Sequence, residues 1–185
     1  MQQHDYGLAP LDPIKPARVS RDLRTGTGAY LSKRRGVFCL SLTAAASMGV
    51  ISLYQMGVLR HLPEPPLPHL DADKVDASRQ SFEWLSTPDG PLGLLSYSAT
   101  AVLAAAGGKD RATRTPWIPI ALAAKVAADT AQAARLTIDQ WTKHRAFCSY
   151  CLLAAGATFA TVPLVVPEVM DALRELLGKS MRTHT

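Results

Sequence analysis

From Val37 to Leu59 the chain runs for 23 residues without a charged side chain. At about 1.5 Å per residue, a helix of that length spans the hydrocarbon core of a bilayer. Such a stretch must either cross a membrane or form the long core helix of a soluble protein. Three more apolar blocks rich in Ala, Leu and Val follow, at Pro91 to Ala106, Pro116 to Leu136 and Ala146 to Val166. A hydrophobic fraction of 48% and a mean hydropathy of +0.05 would suit a soluble protein, but those averages conceal how unevenly the apolar residues are distributed. The blocks predict an all-α fold, a four-helix transmembrane bundle with a short amphipathic helix in its outer loop.

Within the first block, Ala44, Ala45, Ala46, Ser47 and Gly49 permit close helix–helix approach. Residues 1–35, with Pro10, Pro13 and Pro16, many charges and no apolar period, read as a disordered basic tail. That tail is too long and polar for a signal-peptide n-region, so the first block is expected to remain as an anchor. Leu62 to Pro68 holds four prolines and cannot be regular helix. From Asp73 to Leu85, Val75, Ser78/Arg79, Phe82 and Leu85 recur at helical spacing, with Asp71 or Asp73 as cap. This short helix would lie on the membrane surface or cover a site between the membrane helices. Gly107 and Gly108 should stop the second block. Pro167 should start a separate C-terminal amphipathic helix, with Glu168 and Asp171 in its first turn and Val169, Leu173, Leu176 and Leu177 as its stripe. The expected division is a tail at 1–35, a bundle at 36–166, and an amphipathic helix and tail at 167–185.

The net charge of +5 matters less than its placement. Arg18, Arg21, Arg24, Lys33, Arg34 and Arg35 crowd before the first block, whereas Glu64, Asp71, Asp73, Asp76, Glu83 and Asp89 follow it. No recognition motif accompanies the basic stretch, so nucleic acid is not an expected partner; the pattern is the positive-inside signal of a protein whose partner is a lipid bilayer. Four crossings put both termini and the Lys109/Arg111/Arg114 loop inside. Residues 60–90 and the Trp141/His144 loop fall outside, although Lys143 and Arg145 run against the rule. In the third block Lys125, Asp129 and Gln132 share one face, which must point into the bundle. They read first as a structural ion bridge between helices and second as a direct chemical role.

Three cysteines are too few for a disulfide scaffold. Cys148 and Cys151 stand one turn apart in the first turn of the fourth block. There the helix dipole and the nearby Lys143, His144 and Arg145 favour the thiolate, the nucleophile of disulfide exchange. Redox chemistry competes with two other readings, half a zinc site and a pair of structural thiols. The zinc reading lacks a second CxxC, and His144 is the only close histidine. Cys39, alone in the first block, reads as a small core residue.

Phe147-Cys148-Ser149-Tyr150-Cys151-Leu152, opening the last block after a long outer loop, resembles the active-site signature of the vitamin K epoxide reductase family. Lys74-Val75-Asp76-Ala77-Ser78, Thr87-Pro88-Asp89 and Gly93-Leu94-Leu95-Ser96-Tyr97 are similar to that family's loop and second-helix pattern. The resemblance covers residues 36–166. It implies a membrane thiol–disulfide oxidoreductase that couples the CxxC pair to a quinone of ubiquinone or menaquinone type. By the same resemblance Cys151 would face the quinone, Cys148 would be the resolving thiol that exchanges with a partner, and Asp89 would sit by the quinone headgroup. The setting it implies is a bacterial inner membrane, with the CxxC facing the periplasm.

The sequence departs from that family in two places. The outer loop contains no cysteine, with Ala72 and Asp73 near the position of the second loop cysteine, and Ala155 replaces the polar aromatic expected one turn beyond Cys151. Without the loop relay, an external thioredoxin-like protein would have to exchange electrons directly with Cys148 and Cys151, supporting disulfide formation in exported proteins. The alternative is a non-catalytic membrane scaffold or partner-binding protein that retains the fold.

Overall fold

The computed structural model describes residues 14–78 and 87–183, with side chains for residues 17–78 and 87–178. Among these residues all regular elements are helical. Helix α1, Ile14–Thr25, precedes α2, Leu31–Gln55. A proline-rich strap leads to the short α3, Ala72–Asp76, then α4, Asp89–Ala105. A tight connection holds α5, Arg111–Arg114, before α6, Trp117–Asp139, which winds into a π-helical turn at Gln140–His144. Helix α7, Ser149–Thr183, closes the chain.

The four long helices pack around a shared interior, α2 against α4 and α7, and α6 against α7 and α4. That interior is built from small side chains. Ala44, Ala45, Ala101, Ala104, Ala133, Ala154, Ala157, Thr158 and Thr161 are buried, whereas Leu42, Leu53, Leu95, Val102, Leu153, Phe159 and Val166 are exposed. Close backbone approach follows. A Cβ on Gly90 would lie 2.9 Å from the backbone nitrogen of Ser52, so glycine lets the start of α4 meet α2.

Two helices, Leu31–Gln55 and Ser149–Gly178, are long and apolar enough to cross a membrane. The other two long helices fall short for different reasons. Helix α4 has 17 residues, and α6 carries Lys125, Asp129, Arg135 and Asp139. Lys125 and Asp129 form an ion pair along α6 rather than between helices. The link to α4 is made by hydroxyls, because Ser96 Oγ accepts from Lys125 at 2.8 Å and donates to Asp129 at 3.0 Å, and Thr100 donates to Asp129 at 2.9 Å.

At the basic end, two guanidinium groups satisfy the carbonyls left open by the last turn of α4. Arg34 donates to Ala104, Ala106 and Gly108 at 2.9–3.0 Å. Arg111, only 1% exposed, donates to Leu103 and Ala106 at 2.7 Å. Its other nitrogens make a bidentate pair with Glu168 of α7, both bonds 2.7 Å. Gly107, at φ +78°, supplies the left-handed turn after α4.

Three local expectations differ from the structure. The tail holds α1, whose terminal carbonyls at Leu23 and Gly26 accept hydrogen bonds from Arg35 of α2, a tertiary cap that no periodicity in the tail reveals. Pro167 does not start a new helix, since α7 runs through both Pro163 and Pro167. Buried Val165, the Glu168–Arg111 pair and fully buried Ala172 hold the backbone on course across the missing amide hydrogen bonds. Cys39 is exposed on α2 rather than in the core. The outer helix is described only over Ala72–Asp76, capped by Asp71 accepting from Lys74 N at 2.9 Å; the stretch expected to carry it to Leu85 lies outside the described residues.

Replacing Arg111 with Ala strands Glu168 as an unpaired buried charge and should destabilise the protein by about 3–5 kcal/mol, read as a lower unfolding midpoint in detergent. The double change Arg111→Met with Glu168→Leu should recover most of that loss.

Candidate active site

The end of the bundle opposite Arg111 is organised by the carboxylate of Glu64. One of its oxygens accepts from Ala72 N at 2.5 Å, at the start of α3, and the other from Ser149 N at 2.6 Å, at the start of α7. Two helix N-termini thus share one anion, which satisfies amides that would otherwise be open. Phe147 N donates to His69 O at 2.7 Å, Asp71 N donates to Phe147 O at 3.0 Å, and the Tyr150 hydroxyl donates to Pro63 O at 2.8 Å. The proline-rich strap is therefore stitched across the CxxC turn. Trp141 stacks on Phe147 at 5.6 Å and meets His69 edge-on, closing the same corner.

Beneath this strap Cys148 is fully buried, at 0% exposure, in an apolar cluster with Ile51, Leu62, Ala72, Val75 and Ala146. Its amide donates to Gln140 Oε1 at 3.0 Å, and the π-helical turn is what sets Gln140 there. Cys151, half-buried, lines a cavity of about 580 Å³ walled by α2, α3, α4, α6 and α7. Cys151 N lies 3.3 Å from Cys148 Sγ, so the helical turn itself holds the two sulfurs together. The two cysteines thus have different surroundings, one facing a cavity and the other sealed under the loop. The expectation that Cys148 exchanges with an incoming partner carries a condition that the sequence did not reveal, because the strap must lift first.

Asp76, at the end of α3, was not singled out from sequence. It is 1% exposed and borders the same cavity. Cys151 Sγ donates to its Oδ1 at 3.7 Å, a weak sulfur hydrogen bond, while Oδ2 is buried and has no hydrogen-bond partner among the described residues. Burial pushes this carboxyl up to about 7, against the opposing hydrogen bonds from the thiols. The positive field read around the cysteines therefore includes a carboxyl in direct contact with one of them. Asp76, Cys148 and Cys151 bring a carboxylate oxygen and two sulfurs within 4.8 Å of one another. Among the described residues no fourth donor joins them, one short of the four-ligand set of a closed zinc site.

Asp89 lines the cavity and accepts from Gln55 Nε2 at 2.6 Å, while Gln55 Oε1 receives Gly90 N at 3.0 Å. It is thus fixed at the start of α4. Tyr97 and Gln132 supply further polar groups to the lining, and Met48, Ile51, Leu92, Leu95 and Leu136 supply apolar surface. Ala155, where a polar aromatic was expected, leaves that part of the wall small. The missed groups Glu64, Gln140 and Asp76 carry no periodic signal. For Asp76 a signal did exist: the loop-relay position at Ala72 and Asp73 must lie over the CxxC for a relay to work, and that brings Asp76 close.

Two results should follow. In a background where Cys148 is the only thiol (Cys39→Ser, Cys151→Ser), Glu64→Ala removes a charged acceptor from two amides and should lower the cost of strap opening by about 1–2 kcal/mol. Alkylation of Cys148 should then accelerate roughly tenfold. For Asp76, a folded pKa raised from 3.8 to about 7 means stability present at acid pH is lost as pH rises through 7. Wild type should therefore melt lower at pH 8 than at pH 5, and Asp76→Asn should remove that part of the difference.

A search of curated proteins gives no match to the chain. Among protein-family profiles, residues 36–166 match the vitamin K epoxide reductase family, whose members are membrane-associated oxidoreductases that use quinones. That span runs from the start of α2 through the bundle, the strap and the CxxC turn, and the chain belongs to the vitamin K epoxide reductase family.

Proposed function

We propose that this protein is a quinone-linked thiol–disulfide oxidoreductase of a bacterial inner membrane, crossing it four times with Cys148 and Cys151 at the periplasmic face. The observation that carries the reading is the asymmetry of the pair, with Cys151 lining a large cavity and Cys148 sealed beneath a loop. A cavity of about 580 Å³ lies within the usual range of sites for small molecules. Its lining sets apolar Met48, Ile51, Leu92, Leu95 and Leu136 beside polar side chains that include Asp76, Asp89, Tyr97, Gln132 and Gln140; the apolar surface suits a quinone ring, and Asp89, Tyr97 and Gln132 would hold it beside Cys151. A bound quinone supplies an acceptor for two electrons and two protons.

The protein's own part is to hold two thiols one turn apart, keep Cys148 dry and expose only Cys151 to the cavity. Cys148, in turn, exchanges with an external thioredoxin-like protein when the strap opens. No cysteine in the strap can relay electrons, since the three cysteines are Cys39, Cys148 and Cys151.

Support for four crossings comes from the inverted packing, with small residues inside and Leu94, Val102 and Ile138, none of which lines the cavity, exposed on α4 and α6. Support for the sidedness comes from charge. Arg34 and Arg111 cluster with α4's last turn at one end, and Glu64, Asp73, Asp76 and Asp89 lie at the CxxC end.

The cysteine-free strap is also the observation that favours a second reading, a non-catalytic membrane scaffold. One experiment separates them. Cys148→Ser and Cys151→Ser should each abolish quinone-dependent oxidation of a thioredoxin-like dithiol, measured in detergent with a short-chain ubiquinone. The Cys151→Ser protein, which retains Cys148, should trap its partner as a mixed disulfide. Full activity in the double variant would reject the oxidoreductase reading.

A further inference from the structure

The geometry points to Asp76 as the proton-transfer residue of the cysteine pair, and this inference rests on the quinone-linked reading above. We propose that the Asp76 carboxyl carries thiol protons between the two sulfurs and the cavity. Three observations converge on it. Asp76 Oδ1 receives the hydrogen bond of Cys151 Sγ, so the carboxyl touches a reacting atom. Both sulfurs lie within 4.8 Å of an Asp76 carboxylate oxygen. Oδ2 is buried and, among the described residues, unpartnered, on a residue that borders the cavity. A buried carboxylate oxygen without a partner is costly, and here the cost falls where a proton acceptor is needed.

Closing the Cys148–Cys151 bond breaks two S–H bonds and releases two protons and two electrons. The electrons go to the quinone, which is reduced to the quinol with two protons. Asp76 takes the Cys151 proton, releases it to an acceptor oxygen in the cavity, and is then free to take the Cys148 proton by the same route. In the reverse direction each transfer is reversed. The groups facing Asp76 are Cys148 and Cys151 from α7, Asp89 at the start of α4, Glu64 of the strap and Tyr54 of α2. Among the described residues neither a Lys nor an Arg is one of them, so no described cation holds the carboxyl permanently ionised. Its value of about 7 suits a group that must both take and give a proton near neutral pH.

The test uses the full chain in lipid nanodiscs, as wild type, Asp76→Asn and Asp76→Glu, all with Cys39→Ser. In a quinone-free arm the dithiol is oxidised with diamide and the infrared difference spectrum is recorded. Wild type and Asp76→Glu should show a protonated-carboxyl band that changes on oxidation, and Asp76→Asn should lack it. In the second arm, turnover with a short-chain ubiquinone is followed across pH. Asp76→Asn should lose about 100-fold in kcat with little change in KM, and should lose the limb near pH 7. Asp76→Glu should keep the limb.

A wild-type carboxyl band indifferent to thiol oxidation overturns the proposal, even if Asp76→Asn does not fold. So does an Asp76→Asn protein with wild-type kcat and pH limb. If wild type shows the band change but no quinone turnover, the quinone reading fails while proton exchange between Asp76 and the thiols stands.

Discussion

Glu64 holds two amides that belong to different parts of the chain. Ala72 N opens the strap helix and Ser149 N opens α7, and each would be an unsatisfied helix terminus without that carboxylate. The consequences spread from there. The strap is pinned over Cys148, α3 is turned so that Asp76 reaches Cys151, and the π-helical turn docks Gln140 onto the Cys148 amide. An anion between two helix dipoles is a local electrostatic device, yet here it determines which thiol is sealed and which is open.

The opposite end is fixed by different chemistry with a similar logic. Open carbonyls at the end of α4 meet Arg34 and Arg111, and Arg111 is neutralised by Glu168. Helix α7 therefore carries the CxxC turn at one end and the partner of a buried cation about five turns away, and its two prolines are spanned between these anchors. The inverted core between them, small inside and large outside, lets α2 and α4 approach at Gly90 and leaves the apolar contact surface to the surroundings.

How much of this the sequence disclosed depended on whether a residue's role was local. The long helices were legible because each is an apolar run, and Gly107 was readable as a stop because a left-handed residue after a helix is a local requirement. The CxxC pair at the start of α7 was equally plain. Roles created by tertiary contact were not. Asp76, Glu64 and Gln140 look like ordinary polar residues until the strap folds over the CxxC turn. Pro167 carries a local signal to begin a helix, but Glu168 and Ala172 are buried just beyond it and override that signal. The segment Ile14–Thr25 has no apolar stripe; Arg35 of the next helix stabilises its end. The Lys125–Asp129 pair was placed on the correct face, though its crossing to α4 is made by two hydroxyls.

Ala155 illustrates how a site can be shaped by what is missing. Like Ala133 and Ala154, it lines the cavity with a methyl group and offers no side-chain hydrogen bond. A wall of that kind ranks occupants by width alone, and one methylene more or less changes binding by only about 1–3 kcal/mol. Stringent selection between similar molecules needs a buried polar group that the wrong occupant leaves unpaired. The three alanines supply none, so an occupant seated against them is ranked there by width, and finer discrimination falls to the polar groups elsewhere in the lining, such as Gln132, Tyr97 and Asp89, the last already engaged by Gln55.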